Sequence, residues 1–235
     1  MNTPRLTYFD IRGRVEATRL LLNSQGKSFN DERILSSESW QKLKPTLPYR
    51  YLPRYEDNKV TLFQSQTILR YLARHFELYP ETPELQAEAD ELQDLISEAQ
   101  EDLWRFAWQD NFLTNPHAYT TTVLLFYLNA LQSAFNRNQG PYWLADFTHI
   151  DCLAFTFLDE VDAFFPESLT GFDVLRQFLR TMARQPGIEE YLMSKERPMV
   201  FGMGRHGPKV DPRLEIPSGT LFSNPWGDDI PLSDS

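Results

Sequence analysis

Cysteine is nearly absent: the 235 residues include one, Cys152. A single cysteine cannot close an intrachain disulfide, form a CxxC redox pair or give a zinc ion two thiolates. Histidine is almost as scarce, and His75, His117, His149 and His206 are scattered without metal-ligand spacing, so no metal is expected. Positive charge is in deficit, with 23 Lys and Arg against 33 Asp and Glu and a formal net charge of -10. That balance disfavours a phosphate backbone, and no basic run occurs, so nucleic acid is not an expected partner. Long hydrophobic runs are missing too. Residues 111–136 carry no Asp, Glu, Lys or Arg, but Thr120, Thr121, Thr122, Asn129 and Gln132 interrupt them. The denser apolar part, residues 123–135, is too short to span a bilayer and reads as a buried or dimer-facing helix, so no membrane is expected. Residues 1–10 have no basic segment leading into an apolar run, hence do not read as a secretory signal, and a cytoplasmic location is expected.

What is present suits a soluble globular chain: 41% hydrophobic, 24% charged and a rich 14% aromatic. The first third alternates strand and helix signals. Residues 5–9 read as a strand, Gly13 breaks it, and residues 15–22 form a helix that Gly26 ends. Residues 29–34 read as a second strand and 36–44 as a short amphipathic helix. Pro45, Pro48 and Pro53 make an irregular stretch. Residues 54–56 and 60–63 flank a turn at Asp57-Asn58, and Ser65 is expected to cap a helix over 66–76. Tyr79 to Pro83 reads as a linker, with Thr82 as cap and Pro83 in the first turn. Helical signals follow: a long helix over 84–108, another from Pro116 to about 136, and an apolar central helix opened by a capping box at Thr148-His149-Ile150-Asp151. Residues 172–183 and 188–195 supply two more. From Pro198 the chain is rich in Gly and Pro and lacks periodicity, which reads as an extended or mobile tail.

The segment Leu6-Thr7-Tyr8-Phe9-Asp10-Ile11-Arg12-Gly13-Arg14 resembles the first strand and turn of the tyrosine-type cytosolic glutathione transferases. Leu52-Pro53 with Gln64-Ser65-Gln66-Thr67-Ile68-Leu69-Arg70-Tyr71-Leu72 resembles their glutathione-binding segment, and Phe147 to Asp151 the capping box of their central helix. Three motifs in order with family spacing make the likeness specific. It is closest to the pi and sigma classes and covers residues 4–198. The resemblance implies an α/β thioredoxin-like domain over residues 1–80, an all-α helical domain over 84–198 and an extended tail over 199–235. It implies glutathione as co-substrate, a small apolar electrophile as second substrate, and a homodimer.

Site roles follow from the same resemblance. Tyr8 corresponds to the tyrosine that faces the glutathione sulfur, and Arg14 to an arginine that steadies the active site. Trp40 and Lys44 correspond to residues that hold the glycine carboxylate, Leu52 to the residue whose backbone pairs with the cysteinyl part, and Pro53 to the family's cis-proline. Gln64 and Ser65 match the γ-glutamyl grip, Asp102 an acid that reaches the neighbouring subunit's ligand, and Tyr49 the aromatic key of the dimer. Tyr51 is also implied as glutathione-binding, through its backbone, at a position where the family usually places Gln or Asn. Phe9, Ile11, Trp108, Phe112 and Phe201 are implied as walls of the electrophile site, and the tail is expected to tune that site rather than hold the fold.

The chemistry suits these residues independently. A free thiol has a pKa of about 8.5, so little of it is thiolate near neutral pH. A hydroxyl donating to sulfur favours the thiolate. Ser65 at a helix start offers amides to a carboxylate, and it also reads as a plain cap. Trp40 and Lys44 also read as an apolar anchor and a solvated lysine, Asp102 as one more carboxylate in an acid-rich helix, and the aromatics as domain packing. Cys152, inside the apolar helix, reads as core. Three functions stand open at this stage: conjugation of electrophiles, isomerisation of one metabolite as in sigma-type enzymes, and non-catalytic binding of glutathione or another ligand.

Overall fold

The computed structural model describes residues 3–112, 114–138, 140–202 and 210–214. Its first strand, β1 (Arg5–Phe9), is buried from Leu6 onward on both faces, as a strand covered by helices must be. A short 3-10 turn (Gly13–Val15) leads into α1 (Glu16–Ser24) and back to β2 (Asn30–Ile34), which pairs parallel to β1. Then come α2 (Ser37–Leu43), β3 (Arg54–Glu56) and β4 (Thr61–Phe63). The sheet order is β2-β1-β3-β4, with β3 antiparallel to both of its neighbours. The helix α3 (Ser65–His75) closes this unit and packs on α1. The arrangement agrees with the expected thioredoxin-like topology.

Helices follow: α4 (Pro83–Phe106), α5 (His117–Tyr119), α6 (Leu125–Phe135), α7 (His149–Phe164), α8 (Asp173–Ala183) and α9 (Ile188–Met193). A π turn, Thr120–Leu124, joins α5 to α6, where the sequence suggests one unbroken helix. None of the described helices is long and apolar enough to cross a membrane.

The caps explain most boundaries. Gly26, at φ +57, ends α1 while the Lys27 amide turns back to the Leu22 carbonyl at 3.2 Å. The Thr82 hydroxyl accepts the Leu85 amide at 3.3 Å at the start of α4. At α7 the Thr148 amide donates to Asp151 Oδ2 at 2.7 Å and the Trp143 amide to Oδ1 at 3.0 Å. Burial pushes the Asp151 carboxyl up to about 7 in spite of these donors. The helix α7 is buried nearly all round and packs against α1, α4 and α8, which makes it the centre of the core. Cys152 lies within it, fully buried, its thiol pushed up by desolvation.

Two expectations need correction. Ser65 is not the cap of α3: it is the first helical residue, and Gln64 is the N-cap, at φ 71 and without a side-chain capping bond. The tail does not lie loosely over the surface in its described part. Phe201, Val210 and Asp211 are buried, Val200 pairs with Val210, and the Arg12 and Gly13 amides donate to the Val200 and Phe201 carbonyls at 2.8 and 2.9 Å. No periodic pattern announces this, because the contacts are made by backbone and by single charges.

Candidate functional site

The site grows from the end of β1. Alternation sends Tyr8 and Leu6 to one face of the sheet and Thr7 and Phe9 to the other. The Tyr8 ring then lies under Gly13, so that a Cβ on Gly13 would stand 3.0 Å from the phenol oxygen and 3.1 Å from Cε1. Gly13 also holds φ +42, so glycine is required both by backbone and by space. The Arg14 amide donates to the Tyr8 oxygen at 3.4 Å. Burial raises the Tyr8 pKa, and the Arg14 amide and the Arg14 and Arg19 charges only partly oppose it. The phenol therefore keeps its proton at neutral pH and acts as a donor, not as a base. Arg14 itself bonds Glu101 at 3.0 Å and lies 4.9 Å from the Trp104 ring, linking the turn to α4.

Two cavities meet at this turn. An inner one, of about 40 Å³, is lined by Gly13, Arg14, Ser65, Gln66, Ser97 and Glu101 among others. Gln66 Oε1 and Ser97 Oγ are buried on its wall without a hydrogen-bond partner. The first amides of α3 sit at its edge and favour a carboxylate, while those two oxygens and Glu101 are acceptors suited to an ammonium. The inner cavity thus offers partners for the charged tip of an amino acid, and its size admits no more than that. The outer cavity, of about 380 Å³, is lined by Tyr8, Ile11, Gly13, Arg14, Glu101, Trp104, Arg105, Trp108 and Gly202. The two cavities adjoin, sharing Gly13, Arg14, Glu101 and Trp104 as walls, and Tyr8 lines the outer one.

The remaining expected residues fall in several places. Leu52-Pro53 is a cis peptide just before β3. The Tyr51 hydroxyl accepts from Gln64 Nε2 at 2.6 Å, which ties the two expected binding residues to each other. Trp40 packs edge-on against Phe9 at 5.2 Å, and Lys44 Nζ lies 5.8 Å from the Trp40 ring. None of Trp40, Lys44, Tyr51, Leu52, Pro53 and Gln64 lines either cavity. Asp102 is bonded by Arg105 on its own helix at 2.7 Å. Tyr49 is 60% exposed and stacks on Tyr51.

Of the five implied electrophile walls, Ile11 and Trp108 line the outer cavity, and Phe9, Phe112 and Phe201 do not. Phe9 is buried edge-on between Tyr8 and Trp40, with ring centroids 5.4 and 5.2 Å away. Phe112 is fully buried among Phe106, Phe164 and Phe165. Phe201 is buried between Arg12 and Phe164, and it is the next residue, Gly202, that reaches the wall. Sequence reasoning missed Trp104 and Arg105. The spacing of Glu101, Trp104, Arg105 and Trp108 places them on one helical face and could have found them. Behind Trp104 stands buried Glu160, which accepts the indole N–H at 3.1 Å and Gln100 Nε2 at 3.4 Å. Burial pushes its carboxyl up to about 8.

Comparison with known proteins agrees with this geometry. The family described as glutathione S-transferase, N-terminal domain, matches residues 4–74, and that described as glutathione S-transferase, C-terminal domain, matches residues 98–195. The chain is 33% identical over 204 residues to glutathione S-transferase P of Pongo abelii, spanning 81% of this chain and 92% of that one. It is 31% identical over 204 residues to glutathione S-transferase P of Homo sapiens, with the same coverage. Among solved structures, the Pi-class glutathione S-transferase of Onchocerca volvulus superposes with a TM-score of 0.76 at 26% identity, covering 81% of this chain and 92% of that one. The glutathione S-transferase of Ascaris lumbricoides gives 0.71 at 27% identity, covering 81% and 96%.

Proposed function

Because this chain belongs to the glutathione S-transferase family, we propose that it activates the glutathione thiol through the Tyr8 hydroxyl and joins the sulfur to small apolar electrophiles in the outer cavity. It is a glutathione transferase, with glutathione as co-substrate. The observation that carries the mechanism is a buried phenol, kept protonated, on the wall of the outer cavity and against the Gly13-Arg14 turn that also lines the polar inner one. Tyr8 donates its proton in a hydrogen bond to sulfur and so favours the thiolate over the thiol. A charge-assisted bond of about 1.5–3 kcal/mol lowers a pKa by roughly one to two units. The Arg14 amide holds the phenol oxygen from the other side.

Ser65 and the neighbouring amides of α3 receive the γ-glutamyl carboxylate, with Gln66 Oε1, Ser97 Oγ and Glu101 available to its ammonium. Gln64, tethered by Tyr51, frames the same end. The Leu52 backbone before cis-Pro53 pairs with the cysteinyl part, and Trp40 with Lys44 receives the glycine carboxylate. Ile11, Trp104, Trp108 and Gly202 supply the apolar side of the electrophile site. The chain works as a homodimer: Tyr49 on one side and the exposed Val123, Leu125 and Phe126 on the other are apolar groups that a second copy would cover. Asp102 reaches towards the partner's ligand in that arrangement. The lone, buried Cys152 is compatible with the reducing cytoplasm. A buried Tyr8 that keeps its proton on the wall of the outer cavity favours a catalytic role over simple ligand carriage.

Retention on immobilised glutathione, followed by turnover of a generic aryl halide, tests the reading. Retention with turnover supports it; retention without turnover returns the chain to the ligand-binding class.

A further inference from the structure

The turn that positions Tyr8 is held from outside its own strand and helix. Between the end of β1 at Phe9 and the start of α1 at Glu16, the amides of Arg12 and Gly13 donate to the carbonyls of Val200 and Phe201. Arg12 Nε donates to the Pro198 carbonyl at 2.8 Å, and its guanidinium lies 4.1 Å from the Phe201 ring. So the geometry of Gly13 against the phenol depends on where residues 198–201 lie. Both family matches stop at or before residue 195, so nothing in them assigns a role to this segment.

The segment is in turn fixed by a buried charge cluster. Asp211 donates its amide to the Met199 carbonyl at 2.9 Å, and its Oδ2 accepts from Arg12 Nη1 at 2.9 Å. Arg213 bonds both Asp211 oxygens and reaches Asp159 Oδ1 at 2.7 Å. Asp159 Oδ2 also meets Arg197 at 2.7 Å and Arg12 at 3.5 Å. Arg12 and Asp211 are each 2% exposed. Asp211 is thus the carboxylate that ties the returning chain to the side chain of the active-site turn, and it does so from a nearly buried position.

We propose that Asp211 is a positioning residue for thiol activation, acting through Arg12 to hold the turn over the Tyr8 hydroxyl. The proposal rests on the reading of Tyr8 as the thiol donor. Asp211 touches neither cavity that meets at Tyr8. Its effect therefore passes through the Arg12 side chain and the two backbone bonds to Val200 and Phe201. The same bonds set Gly202, whose Cα neighbours Ile11 so closely that an added Cβ would stand 2.5 Å from Ile11 Cδ1. One anchor therefore governs both the phenol and a wall of the electrophile site.

The test uses the full chain with Asp211→Asn, which keeps shape and removes charge, beside Tyr8→Phe and Asp162→Asn. Asp162 bonds Arg213 at the exposed end of the cluster and serves as control. The thiolate absorbance of bound glutathione is titrated in each, with Michaelis constants and pH–rate profiles. For Asp211→Asn the midpoint should rise by about half a unit or more, and kcat at neutral pH should fall roughly threefold to tenfold and recover at higher pH. The Michaelis constant for glutathione should stay within about twofold, while that for the electrophile rises. Asp211→Glu should restore part of the loss, and Asp162→Asn should match the wild type. A lower melting temperature with an unshifted midpoint overturns the proposal and leaves Asp211 as a fold strap. If Asp211→Asn does not fold, Arg213→Gln removes the support on the far side of Asp211 and should give the same shift, smaller; no shift overturns the proposal. An unshifted Tyr8→Phe overturns the Tyr8 reading and this proposal together, whereas a shift in Tyr8→Phe without one in Asp211→Asn overturns this proposal alone.

Discussion

Gly13→Ala adds one methyl group at the point where backbone conformation and catalytic geometry meet. At φ +42 an L-residue costs about 1–2 kcal/mol, because Cβ crowds the following carbonyl. The new Cβ would also stand 3.0 Å from the Tyr8 oxygen and 3.1 Å from Cε1, so the phenol must give way by a few tenths of an ångström. The ring has little room, being buried and edge-on to Phe9 at 5.4 Å. The strain alone should lower the melting temperature by roughly 2–8 °C for a chain of this size. Displacing the hydroxyl forfeits part of a bond of about 1.5–3 kcal/mol, which corresponds to a fall in kcat of roughly tenfold. Gly26→Ala separates the two effects. Its φ is +57 but nothing lies within 4 Å of the added Cβ, so it should cost similar stability and no activity. Thermal unfolding and aryl-halide kinetics on both variants make the comparison. Full activity in Gly13→Ala, or equal losses of activity in both, would refute the reasoning.

Other consequences follow from buried charge and exposed surface. Glu160 binds a proton in the folded chain up to about pH 8, while an unfolded glutamate releases it near 4.5, so stability falls as pH rises between those values by about 1.4 kcal/mol per unit. Glu160→Gln should therefore melt higher than the wild type at pH 8, with the gap closing by pH 5; a pH-independent gap contradicts this. Asp159 and Asp211 behave in the opposite sense. Burial would raise both, but the arginines around them hold them below the usual carboxylate range, so their stabilisation is present above about pH 4 and is lost as pH falls through their folded values. Tyr49→Ala should weaken association by removing an exposed ring at the expected two-fold interface, and an unchanged sedimentation profile removes Tyr49 from that role.

The sequence made the strands and helices legible wherever a cap or a periodic face announced them. Thr82, Thr148 with Asp151, and Gly26 each mark a boundary that the structure repeats. The Tyr8 turn was legible from Gly13 and its flanking arginines. Three kinds of feature were not. The walls of the electrophile cavity depend on which side of a sheet or helix an aromatic faces, and Phe9, Phe112 and Phe201 all turn into packing. Trp104 was hidden by an acid-rich helix that draws attention to its carboxylates. Residues 198–202 and 210–214 are held by backbone pairing and by charges far apart in sequence, such as Arg12 with Asp211, which no local pattern encodes. Long-range ion pairs of this kind become visible only when the fold brings their elements together.

The central claim is that the Tyr8 hydroxyl stabilises the thiolate, and titration of bound glutathione by thiolate absorbance in wild type and Tyr8→Phe tests it most directly. The variant removes one donor and little volume, and the proposed holds on the two carboxylates and ammonium of glutathione do not involve Tyr8, so affinity should change little. The midpoint should rise by roughly one to two units, with a fall in rate at neutral pH of roughly tenfold to a hundredfold that is partly recovered at higher pH. Superimposable titration curves would contradict it, leave Tyr8 as a packing residue, and move thiol activation to another donor of the same turn, such as the Arg14 amide.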